Sequence, residues 1–183
     1  MKIAVFGHHP DLFPGFNSLM TANFAYGFVS EGHEVTVFLP ETASHGQSAR
    51  LSSLKKTLSD LDRVGVDFEI RIIHADTDLG RYDLGVWQSY FADDEAFFPA
   101  FRKAVKVVAK NFPRLLVGER ARDIRALAGS ASRFDIVGLA LREDKRIADE
   151  LLDEIPHAVA RSIYMPRGFR PDWFKSPELA GPP

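Results

Sequence analysis

The stretch "KIAVFGHHPDLFPGFNSLMTANFAYGFVSEGHEVTVF", residues 2–38, decides the fold class of this chain. Its first residues, "KIAVF", form a short apolar run that is typical of a buried strand. Residues from about 18 to 31 then carry apolar side chains near helical spacing, and Gly32 follows where a helix C-cap is expected. The next run, "EVTVFLP" at 34–40, predicts a second strand. The stretch therefore predicts a strand, a helix and a strand.

The rest of the chain continues this alternation. Further strands are predicted at "VDFEIRII", "YDLGVW", "RLLVG" (114–118), "RFDIVGLAL" and "HAVARSIYMP", and further helices at "LSSLKKTLSDLDRV" (51–64), "DDEAFFPAFRKAVKVVAKNF" (93–112) and "REDKRIADELLDEI". About seven alternating strands predict an α/β fold, a Rossmann-like parallel sheet with helices on both faces. Because ligands bind outside the carboxyl ends of such strands, residues 7–17, 88–93 and 119–123 are expected at one functional edge.

Composition excludes several classes of protein. The 183 residues are 45% hydrophobic and 26% charged, which fits one ordinary globular domain with a sizeable core. A net charge of -2 offers no basic field for nucleic acid. The chain has no cysteine, which excludes disulfides, thiolate metal sites and cysteine nucleophiles. No signal peptide is apparent and no apolar run approaches the ~18 residues of a membrane span, so the expected localisation is cytoplasmic.

Three common motifs are missing. After Gly7, the positions where a dinucleotide fingerprint needs glycine hold His9 and Leu12. The chain also lacks a P-loop pattern and a Gly-x-Ser-x-Gly elbow. The sequence therefore does not favour a classical NAD-binding domain, a P-loop NTPase or a serine hydrolase.

The loop after the first strand, "GHHPDLFPGFN" at 7–17, is the first candidate site. His8, His9 and Asp11 could ligate a metal, but adjacent side chains of extended backbone point to opposite sides, so no metal is predicted. One of the two histidines lining a ligand cleft is the favoured interpretation.

The second half of this loop suits an anionic ligand. Gly15 lets the backbone approach a ligand closely, and Asn17 or Ser18 can cap the helix that follows. The N-terminus of that helix would favour an anion such as phosphate. A simple connection between strand and helix is an equally weighted alternative.

Two charged features have a functional and a structural interpretation. The acids of "ADDE" at 92–95 could supply a general base, but capping a helix is favoured. A predicted basic helix face at 102–114 could meet anionic lipid headgroups, although a solvated face is favoured. That face comprises Arg102, Lys103, Lys106, Lys110 and Arg114, with no acid among its neighbours.

Two segments together resemble a known family. Residues 2–38 look like the opening of GT-B glycosyltransferases, especially family GT4, which includes sucrose and trehalose-type synthases and mannosyltransferases. "YMPRGFRPDWFKSPE" at 164–178 resembles the "PNGVD…F" passage between that family's two domains. Pro166, Gly168 and Phe174 match this passage, while Arg167 and Arg170 replace its usual asparagine and aspartate.

The resemblance implies positions for the site. The family's glycine-containing loop lies in the interdomain cleft beside the donor diphosphate, which implies that Gly15 and Phe16 face the donor, with Asn17 beside them. The family often has histidines after two later strands, where this chain has Gln88 and, nearest to the second place, Glu119. With His8 and His9, these are the predicted substrate-binding residues. No catalytic residue and no metal are assigned.

The resemblance also implies a domain organisation and a function. Residues 1–175 would form the N-terminal, acceptor-side domain, 176–183 would begin the interdomain linker, and the C-terminal donor domain would be missing. The complete enzyme would transfer a sugar from a nucleotide-sugar to an acceptor without a further cofactor, and this part alone would be inactive. Partners would be those substrates, the missing domain and, through residues 102–114, the inner membrane face.

Two alternatives belong to other classes of protein. One is a stand-alone flavodoxin-like module that binds a nucleotide or another ligand, since the predicted sheet could be self-contained. The other is a non-catalytic scaffold whose basic helix meets a membrane surface.

Overall fold

A computed structural model describes residues 1–7, 16–41, 68–88, 92–111, 120–139, 141–155 and 158–165. Its centre is one parallel sheet of seven strands. The strands are β1 (Lys2–Phe6), β2 (Glu34–Pro40), β3 (Glu69–Ile73), β4 (Tyr82–Trp87), β5 (Val105–Asn111), β6 (Ile136–Leu139) and β7 (Arg161–Tyr164). They lie in the order β3-β2-β1-β4-β5-β6-β7. The predicted α/β class and the Rossmann-like parallel sheet are confirmed.

Helices connect most of these strands. They are α1 (Phe16–Ser30), a 3₁₀ helix (Ala92–Phe97), α2 (Phe98–Ala104), α3 (Arg120–Ala131) and α4 (Arg142–Glu154). The C-cap predicted for α1 is confirmed, because Gly32 has a φ of +79° and its N–H donates to the Val29 carbonyl at 2.8 Å. A residue with a Cβ would be strained in that left-handed conformation.

The long helix predicted over 93–112 is wrong. A 3₁₀ helix and the short helix α2 occupy its first part, and β5 occupies the rest. Strand β5 pairs with β4 on one side and with β6 on the other. Its valines, Val105, Val107 and Val108, are β-branched residues that suit a strand inside a sheet. The helix was predicted because acids at the start and lysines at the end of this segment match the charge distribution that favours a helix dipole.

The basic helix face at 102–114 is wrong for the same reason. Arg102 lies on α2 and its guanidinium is 3.4 Å from the Asp135 carboxylate, while Lys106 on β5 is 2.6 Å from that of Asp83. Lys110 is buried in β5. These residues therefore form no continuous cationic surface, and acids do neighbour them. In the described part of the chain, no helix is long and apolar enough to cross a membrane.

Several predictions lie outside the described residues. They are the helix over 51–64, the strand over 114–118, Arg114, and the domain end and linker after residue 165. The remaining strand predictions and the helix over 142–155 are confirmed with bounds shifted by a few residues.

The two faces of the sheet carry different side chains. The face covered by the 3₁₀ helix and α2, here called the aromatic face, buries Phe6, Phe38, Tyr82, Trp87, Phe97, Phe98, Phe101 and Phe134. The face covered by α1, here called the aliphatic face, buries Ile3, Val5, Ala25, Val35, Val37 and Leu39. A further cluster joins α3 and α4 to β6. Successive strand residues point to opposite faces, so both sets alternate along β1 and β2.

Candidate functional site at the reversal of strand order

The strand order places a ligand crevice between β1 and β4. From β1 the chain adds β2 and β3 on one side, and then crosses to add β4 through β7 on the other. In doubly wound sheets the loops diverge at such a reversal, and ligands bind outside the carboxyl ends of its strands. Gly7 directly follows β1 and Gln88 directly follows β4, so both residues stand at this crevice.

Backbone hydrogen bonds hold these two residues at the sheet edge. The Gly7 N–H donates to the carbonyl of Phe38 at 2.9 Å, and the Gln88 N–H donates to the carbonyl of Phe6 at 3.1 Å. The carboxyl ends of β2, β1 and β4 are thereby tied together. The prediction that Gly7 and Gln88 share one edge is confirmed.

Gln88 is a completely buried polar residue on the aliphatic face. Its side chain has 0% exposure, and its Oε1 accepts a hydrogen bond of 2.8 Å from the hydroxyl of Thr21 in α1. Within the described part of the chain its Nε2 has no hydrogen-bond acceptor. A buried donor without a partner costs about 1–3 kcal/mol of stability. Among the described residues of this crevice, the Nε2 group of Gln88 is a buried donor that still needs an acceptor.

Gly7 lets α1 approach the end of β1. A Cβ on Gly7 would lie 2.8 Å from Leu39 Cδ2, 3.1 Å from Thr21 Cγ2 and 3.2 Å from Thr21 Oγ1. Any side chain here would therefore press on the residue that binds Gln88. The glycine keeps the crevice open to the backbone and leaves the Thr21–Gln88 hydrogen bond undisturbed.

A charged cluster lies on the opposite face, beside Trp87. Lys110 pairs with Trp87 in the register of β4 and β5, and only 8% of it is exposed. Burial lowers the pKa of Lys110 to about 8, opposed by the nearby carboxylate of Glu95. Glu95 also accepts a 2.6 Å ion pair from Arg133, whose guanidinium lies 4.3 Å from the Phe98 ring centre. This cluster links the 3₁₀ helix to β5 and to the turn that precedes β6.

The acids of 92–95 do not cap α2. The N-cap of that helix is Phe97, which makes no side-chain capping hydrogen bond. Asp94 is instead fully buried, and Glu95 binds Arg133. The favoured interpretation of these acids as helix caps is therefore wrong, because the segment forms a 3₁₀ helix packed against charged partners.

Asp83 lies at the opposite end of the strands from the crevice, where β1, β4 and β5 begin. It accepts hydrogen bonds from the Lys106 ammonium at 2.6 Å and from the Lys2 backbone N–H at 3.0 Å. The Lys106 hydrogen bond, with that of Lys2, lowers the pKa of the Asp83 carboxyl. Asp83 lies near the amino end of β4, so it is separated along the strand from Gln88 at the crevice.

The predicted site residues are only partly described. His8, His9, Asp11, Gly15 and Glu119 lie outside the described residues, and for Phe16 and Asn17 only the helical backbone at the start of α1 is described. Gln88 is the predicted substrate-binding residue whose surroundings are seen. The site as a whole stays a prediction. Among the described residues no group of three or more histidines, aspartates or glutamates could hold a metal ion.

Thr21 was not predicted from the sequence. It lies on the helical stripe that carries Ala25 and Phe28 toward the sheet, four and seven residues before them, which is about one and two helical turns. The feature of the sequence that could have identified Thr21 is a hydroxyl on an otherwise apolar helix stripe. Its partner, Gln88, lies 67 residues away in sequence, so only the fold brings the two together.

Comparison with known proteins supports the fold. The chain is similar to HepE (Alr3699) of Anabaena, crystallised in complex with UDP and glucose, with 16% identity and a TM-score of 0.52. The match covers 97% of this chain and 47% of HepE, so the chain spans about half the length of that protein. A crystal structure of HepE with UDP alone matches with a TM-score of 0.49.

No family model matches the chain, and no curated protein matches it. The likeness to HepE, at 16% identity, supports the α/β Rossmann-like fold of this chain and does not single out the GT4 family.

Proposed function

We propose that this chain is the N-terminal domain of a nucleotide-sugar-dependent glycosyltransferase of the GT-B type, with family GT4 as the nearest group by sequence pattern. The observation that carries the proposal is the crevice between β1 and β4, where Gly7 and the buried amide of Gln88 meet at the reversal of strand order. The substrates would be a nucleotide-sugar and an acceptor, and no further cofactor is required.

The likeness to half of HepE, a protein crystallised with UDP and glucose, supports this proposal. A half-length match suggests that a second domain supplies the rest of the donor site, and this domain alone would then be inactive. The N-terminus of α1 would favour the diphosphate, since helix N-termini present unpaired N–H groups to anions. His8, His9, Gly15, Phe16, Asn17 and Glu119 would line the same cleft.

The flavodoxin-like alternative has less support. Flavodoxin-like sheets have the strand order 2-1-3-4-5. This sheet has three strands before the reversal and the order β3-β2-β1-β4-β5-β6-β7, which is the Rossmann arrangement. A stand-alone ligand-binding module of Rossmann type would be the remaining version of that alternative.

Titration of the ¹⁵N-labelled chain with UDP, UDP-glucose, GDP, FMN and NAD, followed by NMR, tests the proposal. We expect weak, saturable shifts of the Gly7 and Gln88 backbone amides with UDP or UDP-glucose, because these amides lie at the crevice. The amide of Ile72, on edge strand β3, is the internal control and should not move.

Calorimetry with the same ligands tests the alternative of a cofactor-binding module. Tight binding of FMN or NAD to the chain, with no response to any uridine or guanosine nucleotide, would replace the glycosyltransferase proposal with a cofactor-binding module.

A further inference from the structure

We infer that the Gln88 carboxamide is a hydrogen-bond donor to an uncharged oxygen of the ligand, and that Thr21 is the positioning residue that sets its direction. The inference rests on the proposed function and specifies which part of the substrate this crevice recognises. The ligand group is a hydroxyl or carbonyl oxygen, as on a sugar unit, rather than the diphosphate.

The first support is the unsatisfied donor. Gln88 is 0% exposed, so its Nε2 is cut off from bulk water, and the described residues supply no acceptor for it. Buried side-chain donors in native proteins almost always have a partner, and the exceptions call for a functional reason. Nε2 belongs to the residue that directly follows β4 at the crevice, so a ligand bound there is the acceptor that we assign to it.

The second support is the orientation of the amide. The Thr21 hydroxyl donates to Oε1 at 2.8 Å, and Thr21 itself is 3% exposed and held on α1 against the sheet. A carboxamide whose oxygen is fixed in this way has its two N–H groups on the other side of the group. Without the hydroxyl, nothing described here would distinguish the two ends of the amide, and either could turn toward the ligand.

The third support concerns charge. Among the described residues, the groups that the structure brings to this pair are the Phe6 carbonyl, Gly7 and the apolar end of Leu39, which contacts the Gly7 position. None of them carries a charge. Proteins bind phosphate oxygens with arginine, lysine or several backbone N–H groups together, since a dianion is costly to desolvate. A single neutral amide suits an uncharged oxygen, and an amide exchanges no proton at ordinary pH.

The side-chain NH₂ resonances of Gln88 provide the test. They are assigned in the ¹⁵N-labelled chain by their loss in Gln88→Met, and the chain is then titrated with UDP, glucose and UDP-glucose. We expect the NH₂ pair to shift with glucose or UDP-glucose and to stay in place with UDP alone. Thr21→Val should reduce the affinity for UDP-glucose roughly 2- to 12-fold, the value of one neutral hydrogen bond. Thr21→Ser, which keeps the hydroxyl, should restore the affinity.

The outcomes separate this inference from the proposed function. A Gln88 NH₂ shift with UDP alone would assign the amide to the nucleotide and overturn the inference. Backbone shifts at Gly7 with an unchanged NH₂ pair would also overturn it while leaving the proposed function intact. An unchanged UDP-glucose affinity in Thr21→Val would remove Thr21 as the positioning residue. No response to any of the three ligands would count against both proposals.

Discussion

The aromatic and aliphatic faces of the sheet differ in how their packing ends at the carboxyl ends of the strands, where the candidate site lies. On the aromatic face, the rings of Phe6 and Trp87 stack at 4.0 Å, and Phe101 meets both edge-on at 5.8 and 5.4 Å. On the aliphatic face, small branched side chains pack under α1, and the row ends in the polar pair Thr21–Gln88. One face is filled with rings, whereas the other ends in an amide whose Nε2 has no acceptor among the described residues.

Two consecutive residues show the difference most directly. Trp87 and Gln88 are both almost completely buried, yet they point to opposite faces because strand side chains alternate. The tryptophan packs against phenylalanines, while the glutamine binds Thr21. We therefore expect the aromatic face to contribute more to stability, whereas the proposed ligand contact belongs to the aliphatic face.

The largest expected effect is on the aromatic face. Phe101→Ala should lower the free energy of unfolding by about 3–5 kcal/mol, because a fully buried ring is lost and a cavity is left. Ile3→Ala on the aliphatic face should cost less, since no ring-to-ring contact is lost with it. Urea unfolding measures both, with Ile72→Ala, at a 40% exposed position, as a control near zero. An equal or larger loss in Ile3→Ala would break the comparison.

The next effect concerns the buried lysine of the aromatic face. The pKa of Lys110 is lowered to about 8 from an ordinary value of 10.5, so between these pH values the unfolded chain binds more protons than the folded one. Stability should therefore be flat below about pH 8 and rise above it. At about 1.4 kcal/mol for each pKa unit, the gain approaches about 3 kcal/mol by pH 10.5.

Urea midpoints from pH 7 to 10.5 check this prediction. The rise should disappear in Lys110→Met and persist in Lys103→Met, the same substitution at an exposed lysine. A wild-type profile that falls steadily above pH 8 to the same extent as that of Lys110→Met would show that Lys110 is not the titrating group.

The smallest expected effects are those of substitutions at Gly7 and Gly85, two glycines that allow close packing. A Cβ on Gly85 would lie 2.7 Å from Val105 Cγ1 and 2.8 Å from Phe101 Cε1, so Gly85→Ala should cost about 1–3 kcal/mol through overpacking. Gly7→Ala should cost less, because its tightest contact is the end of the Leu39 side chain, which can rotate. Gly7→Ala should nevertheless weaken UDP-glucose binding, and Gly85→Ala should leave it unchanged. Thermal unfolding measures the stability of both variants, and NMR titration measures their binding of UDP-glucose. A larger loss of stability in Gly7→Ala, or weaker binding in Gly85→Ala alone, would contradict these expectations.

Local pattern was sufficient for most of the fold. The β1–α1–β2 segment, the cap at Gly32 and helix α4 were predicted because apolar spacing and glycine placement are properties of short windows. Strand β5 was missed because its flanking charges are also a local signal, and they pointed to a helix. Pairing with β4 and β6 outweighed them, and no short window contains that information.

The candidate site also has one part that the sequence predicted and one part that depends on the fold. The position of Gln88 at the functional edge followed from strand order in the sequence, since the carboxyl ends of parallel strands lie together. Its burial, its bond to Thr21 and its unpartnered Nε2 depend on residues far apart in the chain. Likewise, Lys110 has the sequence context of a solvated lysine, and only its place between β4 and β6 lowers its pKa.

The sequence by itself determined an α/β chain with parallel strands whose carboxyl ends bring Gly7 and Gln88 to one edge of the sheet, because backbone preference and apolar period act over a few residues. Only the tertiary structure decided which residues at that edge are buried and how they are paired. Desolvation and hydrogen bonding of a side chain depend on every element packed around it, and for Gln88 those elements are β1, β4 and α1.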